Sequence, residues 1–146
     1  PGPTPTAWPG PAPTLTADLV TIKSGIAGKC LDDHRNGAAN HNKVEIYRCN
    51  GTAAQKWAIV GETIRINGKC LSVYRGGKKN GARVDLSRCN GAGAQDWVRN
   101  GARLVNPRSG KCLDVPGLPH VNGRQLEIMT CLGTAANQRW TVSPVT

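Results

Sequence analysis

The sequence contains little of what usually fills a hydrophobic core. Its 146 residues include no phenylalanine, one methionine, two tyrosines and four tryptophans, and aromatic residues make up 4% of the chain. Glycine, with 18 residues, and proline, with 10, are plentiful by comparison. Few large side chains together with many turn-forming residues disfavour long packed helices and favour many short strands joined by tight turns. The length allows one domain and a short additional segment.

Sequence signals for membrane insertion, metal binding and catalysis are also missing. No apolar stretch approaches the roughly 18 residues that cross a bilayer. The cysteines form no CxxC or CxxH pair, which argues against a zinc or thioredoxin-like site. The chain has no nucleophile elbow and no phosphate-binding loop. We therefore expect no catalytic residue, no metal, no cofactor and no membrane insertion.

Acidic residues are scarce, and the chain has a formal net charge of +10 from 19 Lys and Arg against 9 Asp and Glu. The excess is concentrated between residues 61 and 111. Such a charge suits an anionic polysaccharide, a bacterial wall or nucleic acid, and it also serves solubility alone. Because the sequence carries no nucleic-acid-binding motif, we expect no nucleic acid partner.

One sequence unit occurs three times. Each copy begins with Gly-Lys-Cys-Leu, has a second cysteine 19 positions after the first, and ends near Gln-x-Trp. These landmarks fall at residues 28–31, 49 and 55–57, at residues 68–71, 89 and 95–97, and at residues 110–113, 131 and 138–140. Agreement in order and spacing indicates an internal threefold repeat.

Short strands and a shared barrel are predicted from the pattern within each unit. The segments 44–47, 84–87 and 126–129 alternate apolar and polar residues, as half-buried strands do. Asn-Gly, a strong signal for a hairpin turn, occurs at residues 36–37, 50–51, 67–68, 80–81, 90–91, 100–101 and 122–123. A unit of about 40 residues cannot bury its own apolar face, so three units are expected to close one small barrel around Trp57, Trp97 and Trp140.

The six cysteines, two in each unit, indicate disulfides formed in an oxidising compartment. Six cysteines allow 15 pairings. The simplest joins the two cysteines of each unit and treats the copies alike, which gives Cys30–Cys49, Cys70–Cys89 and Cys112–Cys131. Each bridge would add about 3 kcal/mol in the chain-entropy model. We expect a secreted, extracellular protein.

Residues 1–17 differ from the rest of the chain. They are rich in proline and threonine, a composition typical of an extended linker, and they include Trp8, to which we assign no role. The domain is expected over residues 18–146, with repeats over about 18–58, 59–98 and 99–144. A linker implies a neighbouring domain. We expect the protein to be either a monomer or a module tethered to a catalytic domain.

Cys-Leu-Asp opening a unit and Gln-x-Trp closing it, three times over with an internal disulfide, resemble the ricin B-type lectins. The similarity is greatest to the family 13 carbohydrate-binding modules of actinobacterial secreted hydrolases, and it covers about residues 18–144. It implies an all-β fold, the β-trefoil with pseudo-threefold symmetry, and up to three shallow pockets for galactose-, xylose- or arabinose-type sugars.

In that family, each pocket uses the Asp two positions after the first Cys, a polar residue and an aromatic before the second Cys, and an Asn-Gln pair ahead of the Trp. These groups suit a sugar. A carboxylate accepts hydrogen bonds from hydroxyls, an aromatic ring covers the apolar face, and an amide both donates and accepts.

The first repeat matches most of this pattern. It has Asp32, Glu45 in place of the usual Gln, Tyr47 as the aromatic, and Gln55 preceded by Ala54 where the family has Asn. The resemblance therefore implies a working pocket with one hydrogen bond missing.

The third repeat also keeps the polar groups of a pocket. It has Asp114, Glu127, Asn137 and Gln138, with Met129 where an aromatic belongs. A thioether can cover an apolar sugar face, although more weakly than a ring does.

The second repeat has Ser72 for the Asp and Ser87 for the aromatic, so we expect it to be silent for ordinary sugar binding. Its Gln95 persists nevertheless, which indicates that this glutamine is mainly architectural in all three copies. Asp32 and Asp114 could satisfy turn amides instead of a ligand, but the joint loss of Asp and aromatic in the second repeat favours ligand contact.

We therefore predict non-catalytic carbohydrate binding in repeats one and three, which would target an attached secreted enzyme to its substrate. A glycosidase needs one pair of carboxylates roughly 5–10 Å apart, whereas these carboxylates follow the repeats. Two alternatives stay open. A basic trefoil could bind an anionic polysaccharide through Arg75, Lys78, Lys79 and Arg83, or a trefoil protease inhibitor could act through an exposed loop.

Overall fold

Short antiparallel strands make up most of the structure, a computed structural model whose described residues are 18–133 and 135–145. The first repeat forms β1 (Val20–Ser24), β2 (Lys29–Asp33), β3 (Val44–Arg48) and β4 (Ala58–Val60). The second forms β5 (Thr63–Ile66), β6 (Lys69–Val73), β7 (Val84–Arg88) and β8 (Val98–Asn100). The third forms β9 (Arg103–Asn106), β10 (Lys111–Asp114), β11 (Arg124–Gln125), β12 (Glu127–Met129) and β13 (Trp140–Pro144).

The helices of the described residues are single 3-10 turns. They lie at His34–Asn36, Ala53–Gln55, Tyr74–Gly76, Gly93–Gln95 and Ala136–Gln138. None of them is long and apolar enough to span a membrane. The expected linker, with Trp8, falls outside the described residues.

The strands that join one repeat to the next close a barrel. β13 pairs with β1, β4 with β5, and β8 with β9, all antiparallel. Within each repeat, the tryptophan segment bonds to the start of the same repeat, as Trp57 does by exchanging two backbone hydrogen bonds with Val20. The remaining strands form the hairpins β2–β3, β6–β7 and β10–β12. The predicted all-β trefoil is confirmed.

The three tryptophans occupy equivalent places in the core. Trp57 and Trp97 are fully buried, and Trp140 is 2% exposed. Each indole Nε1 donates to the carbonyl that follows the first cysteine of its repeat, over 3.1 Å to Leu31, 3.0 Å to Leu71 and 3.1 Å to Leu113. A buried indole needs such an acceptor, so the core assignment of these residues is confirmed.

The disulfides join the two cysteines of each repeat, as predicted. They link Cys30 to Cys49, Cys70 to Cys89, and Cys112 to Cys131, with Cα–Cα distances of 5.1, 5.2 and 5.2 Å. Each joins a residue near the start of β2, β6 or β10 to a residue just after β3, β7 or β12, at the open end of the hairpin. The bridges therefore brace the hairpins that carry the predicted sugar contacts.

Of the seven Asn-Gly pairs, two lie at two-residue hairpin turns: residues 67–68 between β5 and β6, and residues 100–101, where Asn100 ends β8 and Gly101 begins the turn to β9. Asn67 and Gly68 supply both central residues of the β5–β6 turn, with φ values of 52° and 75° that suit a type I′ turn. After the second cysteines, Asn50 and Asn90 instead form local turns in which the side-chain oxygen accepts from the backbone amide two residues on.

Asn80 and Asn122 join neighbouring repeats, together with Asn40, which is not followed by glycine. Each side-chain oxygen accepts from the backbone amide at the end of the next repeat's third strand, from Arg88 to Asn40, Thr130 to Asn80, and Arg48 to Asn122. The following residue adopts a positive φ in all three cases and bonds to the same strand. A pattern drawn from local turns misses these contacts, since they are made between repeats.

Candidate functional site

A cavity of about 600 Å³ opens beside the first repeat, between the β2–β3 hairpin and the 3-10 turn before Trp57. It contains three of the four residues predicted for this repeat, Asp32, Glu45 and Tyr47, while Gln55 lies buried next to Asp32. The residues that line it are Asp32, His34, Arg35, Asn36, Glu45, Tyr47, Asn50, Thr52, Ala53 and Ala54.

Strand register brings these side chains together. Asp32 on β2 lies directly opposite Glu45 on β3, so the two carboxyl groups share one face of the hairpin. Tyr47 is two residues beyond Glu45 and therefore points to the same side. Gln55 Nε2 donates to Asp32 Oδ2 over 2.8 Å, which fixes the carboxyl group. The hydrogen bond expected to be missing here is supplied by this glutamine.

His34 belongs to the first pocket, although the sequence did not indicate it. Its Nδ1 lies 2.8 Å from Glu45 Oε1, and Lys43 Nζ lies 3.5 Å from the same oxygen. The repeats could not reveal His34, because Tyr74 and Pro116 stand at its place in the other two copies. It directly follows β2 and the 3-10 turn begins with it, so it lies at the pocket rim.

Burial shapes the electrostatics of the first pocket. Asp32 is 4% exposed, and this burial raises its pKa to about 7, helped by the hydrogen bond and the charge of Glu45 and opposed by the hydrogen bond from Gln55. The neighbouring Asp33 is fully buried, and burial also raises its pKa, against the hydrogen bonds that Asn67 and Asn42 donate. Near neutral pH the pocket therefore holds both a hydrogen-bond donor and acceptors.

The raised pKa makes stability depend on pH. The folded protein holds the Asp32 proton more tightly than the unfolded chain, whose value is 3.8, so unfolding free energy falls as pH rises from about 4 to about 7. The slope from one such group is at most about 1.4 kcal/mol per pH unit. We expect the melting temperature to fall over this range, and to fall less in Asp32→Asn.

Calorimetric melting from pH 4 to 8 measures this difference. Asp18→Asn changes the net charge equally at an exposed position outside the pockets, and serves as the matched control. If the wild type and Asp32→Asn showed the same slope, the buried, protonated state of Asp32 would be wrong.

The repeated glutamines connect backbone segments. Gln55, Gln95 and Gln138 are 2%, 1% and 0% exposed. Each side-chain oxygen accepts a hydrogen bond from the backbone amide that follows the second cysteine, at 2.9, 3.0 and 2.6 Å. Each side-chain nitrogen donates to the backbone carbonyl that precedes the second cysteine, at 2.9, 2.8 and 3.0 Å. This glutamine therefore ties the hairpin to the 3-10 turn in all three repeats.

The third repeat reproduces the carboxyl pair with a different amide. Asp114 on β10 lies opposite Glu127 on β12, and Asn137 Nδ2 donates to Asp114 Oδ1 over 2.6 Å. Burial, the hydrogen bond with Asp114 and its charge raise the pKa of Glu127 to about 8. Met129 is partly exposed on the same strand. Because Asn137 holds the aspartate here, Gln138 is left with its backbone contacts alone.

The second repeat has a cavity at the equivalent place, of about 440 Å³. Its lining includes Ser72, Ser87 and Gln95, and no carboxylate. Among the described residues of the chain, no group of three or more His, Cys, Asp or Glu side chains could hold a metal ion. The candidate sites are therefore the first-repeat pocket with its carboxyl pair, the carboxyl pair on the third-repeat hairpin, and the second-repeat pocket, which has no carboxylate in its lining.

Closed threefold pairing of the strands, with polar groups gathered on the hairpins, defines a β-trefoil domain. The chain matches the model of the ricin-type β-trefoil lectin domain over residues 18–140 and belongs to that family of carbohydrate-binding domains. The model does not distinguish the family 13 subtype that the sequence suggested.

Individual proteins agree with this assignment. Serine protease 1 of Rarobacter faecitabidus is 40% identical over 129 residues, which cover 87% of this chain and 24% of the protease. A designed threefold symmetric protein, ThreeFoil, superposes with a TM-score of 0.78 at 24% identity, covering 87% of this chain and 99% of the design. The agglutinin of Abrus precatorius gives 0.75 at 27% identity, covering 85% of this chain and 47% of the agglutinin.

Proposed function

We propose that the first and third repeats each bind one neutral sugar residue of the galactose, xylose or arabinose type. The observation that carries this proposal is the carboxyl pair held by an amide, which occurs in both repeats: Asp32 and Glu45 with Gln55, and Asp114 and Glu127 with Asn137. Neighbouring sugar hydroxyls need acceptors in fixed positions, and oriented carboxyl groups provide them.

The first pocket offers both polar and apolar contacts to a sugar ring. The carboxyl groups form its polar wall, and Tyr47 offers a ring to the apolar C–H face. The third repeat offers Met129 in place of the ring, so we expect it to bind more weakly. Gln55 and Gln138 act by holding these walls in position and need not touch the sugar.

Binding without catalysis is the role that this geometry supports. The two carboxyl groups of the first pocket belong to directly opposed residues of one hairpin, Asp32 and Glu45, and do not face each other across a cleft as the two carboxyl groups of a glycosidase do. Burial that keeps these groups paired suits recognition of hydroxyls.

A tethered, extracellular module is the most consistent biological setting. The chain spans about a quarter of the length of the related protease, so in that protein the trefoil stands beside other segments. Three disulfides suit an oxidising compartment. We propose that the Pro/Thr-rich residues 1–17 link the lectin domain to an enzyme that it directs to a polysaccharide.

Replacing Tyr47 tests the first pocket directly. Loss of the ring from Tyr47→Ala should weaken binding of methyl galactoside at this site about fivefold, if a ring on the sugar face contributes about 1 kcal/mol, as a stacked pair of rings does. Ser87→Ala, at the equivalent position of the second repeat, should change nothing. Isothermal titration on methyl galactoside, xylose and arabinose measures both variants. Equal affinity of Tyr47→Ala and wild type for all three sugars would contradict the proposal.

A further inference from the structure

The pocket of the second repeat lacks the carboxyl groups that line the first pocket and contains a second arginine instead. In the first, Asp32 and Glu45 line the cavity and present acceptors, together with His34 and with Arg35, which stands where the second repeat has Arg75. In the second, the charged side chains of the lining are Arg75 and Arg108, accompanied by His41. A ligand that offers hydroxyl donors alone finds few acceptors here, whereas a ligand that carries an anionic group finds guanidinium groups.

His41 shows that this difference is built into the fold. Gly81 and Gly123 hold the equivalent place in the other repeats, where a Cβ would lie 3.9 Å from Glu127 Oε1 and 3.8 Å from Glu45 Oε1. In the second repeat the acid is the shorter Asp85, and His41 adopts a φ of 66°, a conformation that favours glycine. The shorter acid leaves room for a larger neighbour, at some backbone strain.

Asp85 is the acidic residue that His41 and Arg83 approach. It is fully buried, and within the described residues neither of its oxygens accepts a hydrogen bond, although His41 Nδ1 and Arg83 Nε lie 3.5 and 3.7 Å from Oδ2. Arg83 also lies over the ring of Tyr74, 3.7 Å from its centroid. Asp85 therefore holds His41, which lines the pocket, and Arg83 next to it on one side of the second repeat.

Arg108 reaches the pocket from the third repeat. Its Nη1 donates to the carbonyl of Gly76 over 2.5 Å. A Cβ on Gly76 would collide with that nitrogen, and a Cβ on Gly93 would lie 3.0 Å from Arg108 Cδ. The other repeats have Asn36 and Leu118 at the first of these places and Ala53 and Ala136 at the second, so glycine occurs where the arginine side chain passes.

We propose that the second pocket binds a carboxylate-bearing sugar residue, a hexuronic acid within an acidic polysaccharide. Arg75 and Arg108 receive the carboxylate, which a planar guanidinium can bind through two hydrogen bonds. Ser72 and Ser87 line the same cavity and bind ring hydroxyls. The site is separate from those of the first and third repeats, so the domain would recognise neutral and acidic sugars at different places.

The experiment uses the full chain with Asp32→Ala and Asp114→Ala, which removes the two proposed neutral sites. A galacturonic acid trisaccharide and its methyl ester are titrated by calorimetry and amide NMR. We expect binding of the acid, with the ester at least about tenfold weaker, since a hydrogen-bonded charge pair is lost. Arg108→Gln and, separately, Arg75→Gln should each weaken the acid about tenfold, and added salt should weaken it further.

Arg88→Gln, an exposed arginine of the same repeat outside the lining, is the charge-matched control and should keep full affinity. Equal affinity for acid and ester, or full affinity in both pocket variants, would overturn the proposal. Inorganic phosphate binding as tightly as the trisaccharide would overturn its sugar part. Arg108→Gln in the otherwise native chain should keep galactoside binding, so failure here is distinguishable from failure of the neutral pockets.

Discussion

The double variant Asp32→Ala, Asp114→Ala should lose retention on a neutral galactose-type polysaccharide, and each single variant should lose part of it. A shallow pocket binds one sugar residue with a dissociation constant around millimolar, about −4 kcal/mol. Two pockets on one rigid domain raise affinity for a polymer when both engage. Removing one aspartate leaves a monovalent domain that loses this gain in affinity for the polymer, and removing both leaves no anchor.

Affinity electrophoresis compares these proteins with Ser72→Ala. Ser72 stands at the equivalent position of the second repeat and should not affect neutral polysaccharide binding. Melting temperatures of all variants confirm that the folded state is intact. Full retention of the double variant on the neutral polysaccharide would contradict binding at the first and third repeats.

Trp97→Ala should destabilise the domain by about 3–5 kcal/mol, the usual cost of deleting a large buried aromatic side chain. Trp97 is fully buried, and its indole nitrogen donates to the carbonyl of Leu71 over 3.0 Å. The cavity left behind cannot collapse easily, because the repeat is held at both ends by barrel strands and by the Cys70–Cys89 disulfide.

Denaturant unfolding measures the change, and Trp97→Phe separates its causes. Phenylalanine keeps much of the volume and loses the hydrogen bond, so its effect should lie between those of wild type and alanine. Trp97 lies in the repeat without a neutral pocket, and galactoside affinity should therefore be preserved well below the melting temperature. An unchanged midpoint in Trp97→Ala would contradict the core assignment.

The fold could be predicted because the three copies of the sequence unit form structurally equivalent repeats. Three copies of one unit must have equivalent environments, so one interpretation of Trp57 or Cys30 applies three times. The disulfides and the tryptophan core follow from that symmetry alone. Alternation of apolar and polar residues also located β3 and β7 closely.

Contacts between repeats were harder to predict. Asn40 and Asn122 bond to strands of neighbouring repeats, and a local turn signal says nothing about such partners. Within the sites, the opposed pairs of Asp32 with Glu45 and of Asp114 with Glu127 follow from strand register, so their proximity could be expected.

The residues that break the symmetry were missed. His34 and His41 have no equivalent in the other copies, and Arg108 enters the second pocket from a loop of the third repeat. Internal repetition emphasises what the copies share, whereas specificity depends on where they differ. Such residues can be identified only from the folded structure.

The central claim is that neutral sugars bind at the first and third repeats. Titration of the amide-labelled chain with methyl galactoside, followed by NMR, tests it most directly because every pocket is observed at once. We predict saturating shifts around Asp32 and Tyr47 and around Asp114 and Asn137, with Ser72 and its neighbours unaffected. Shifts confined to the second repeat, or no shifts at the two carboxyl pairs at millimolar concentrations, would contradict the account.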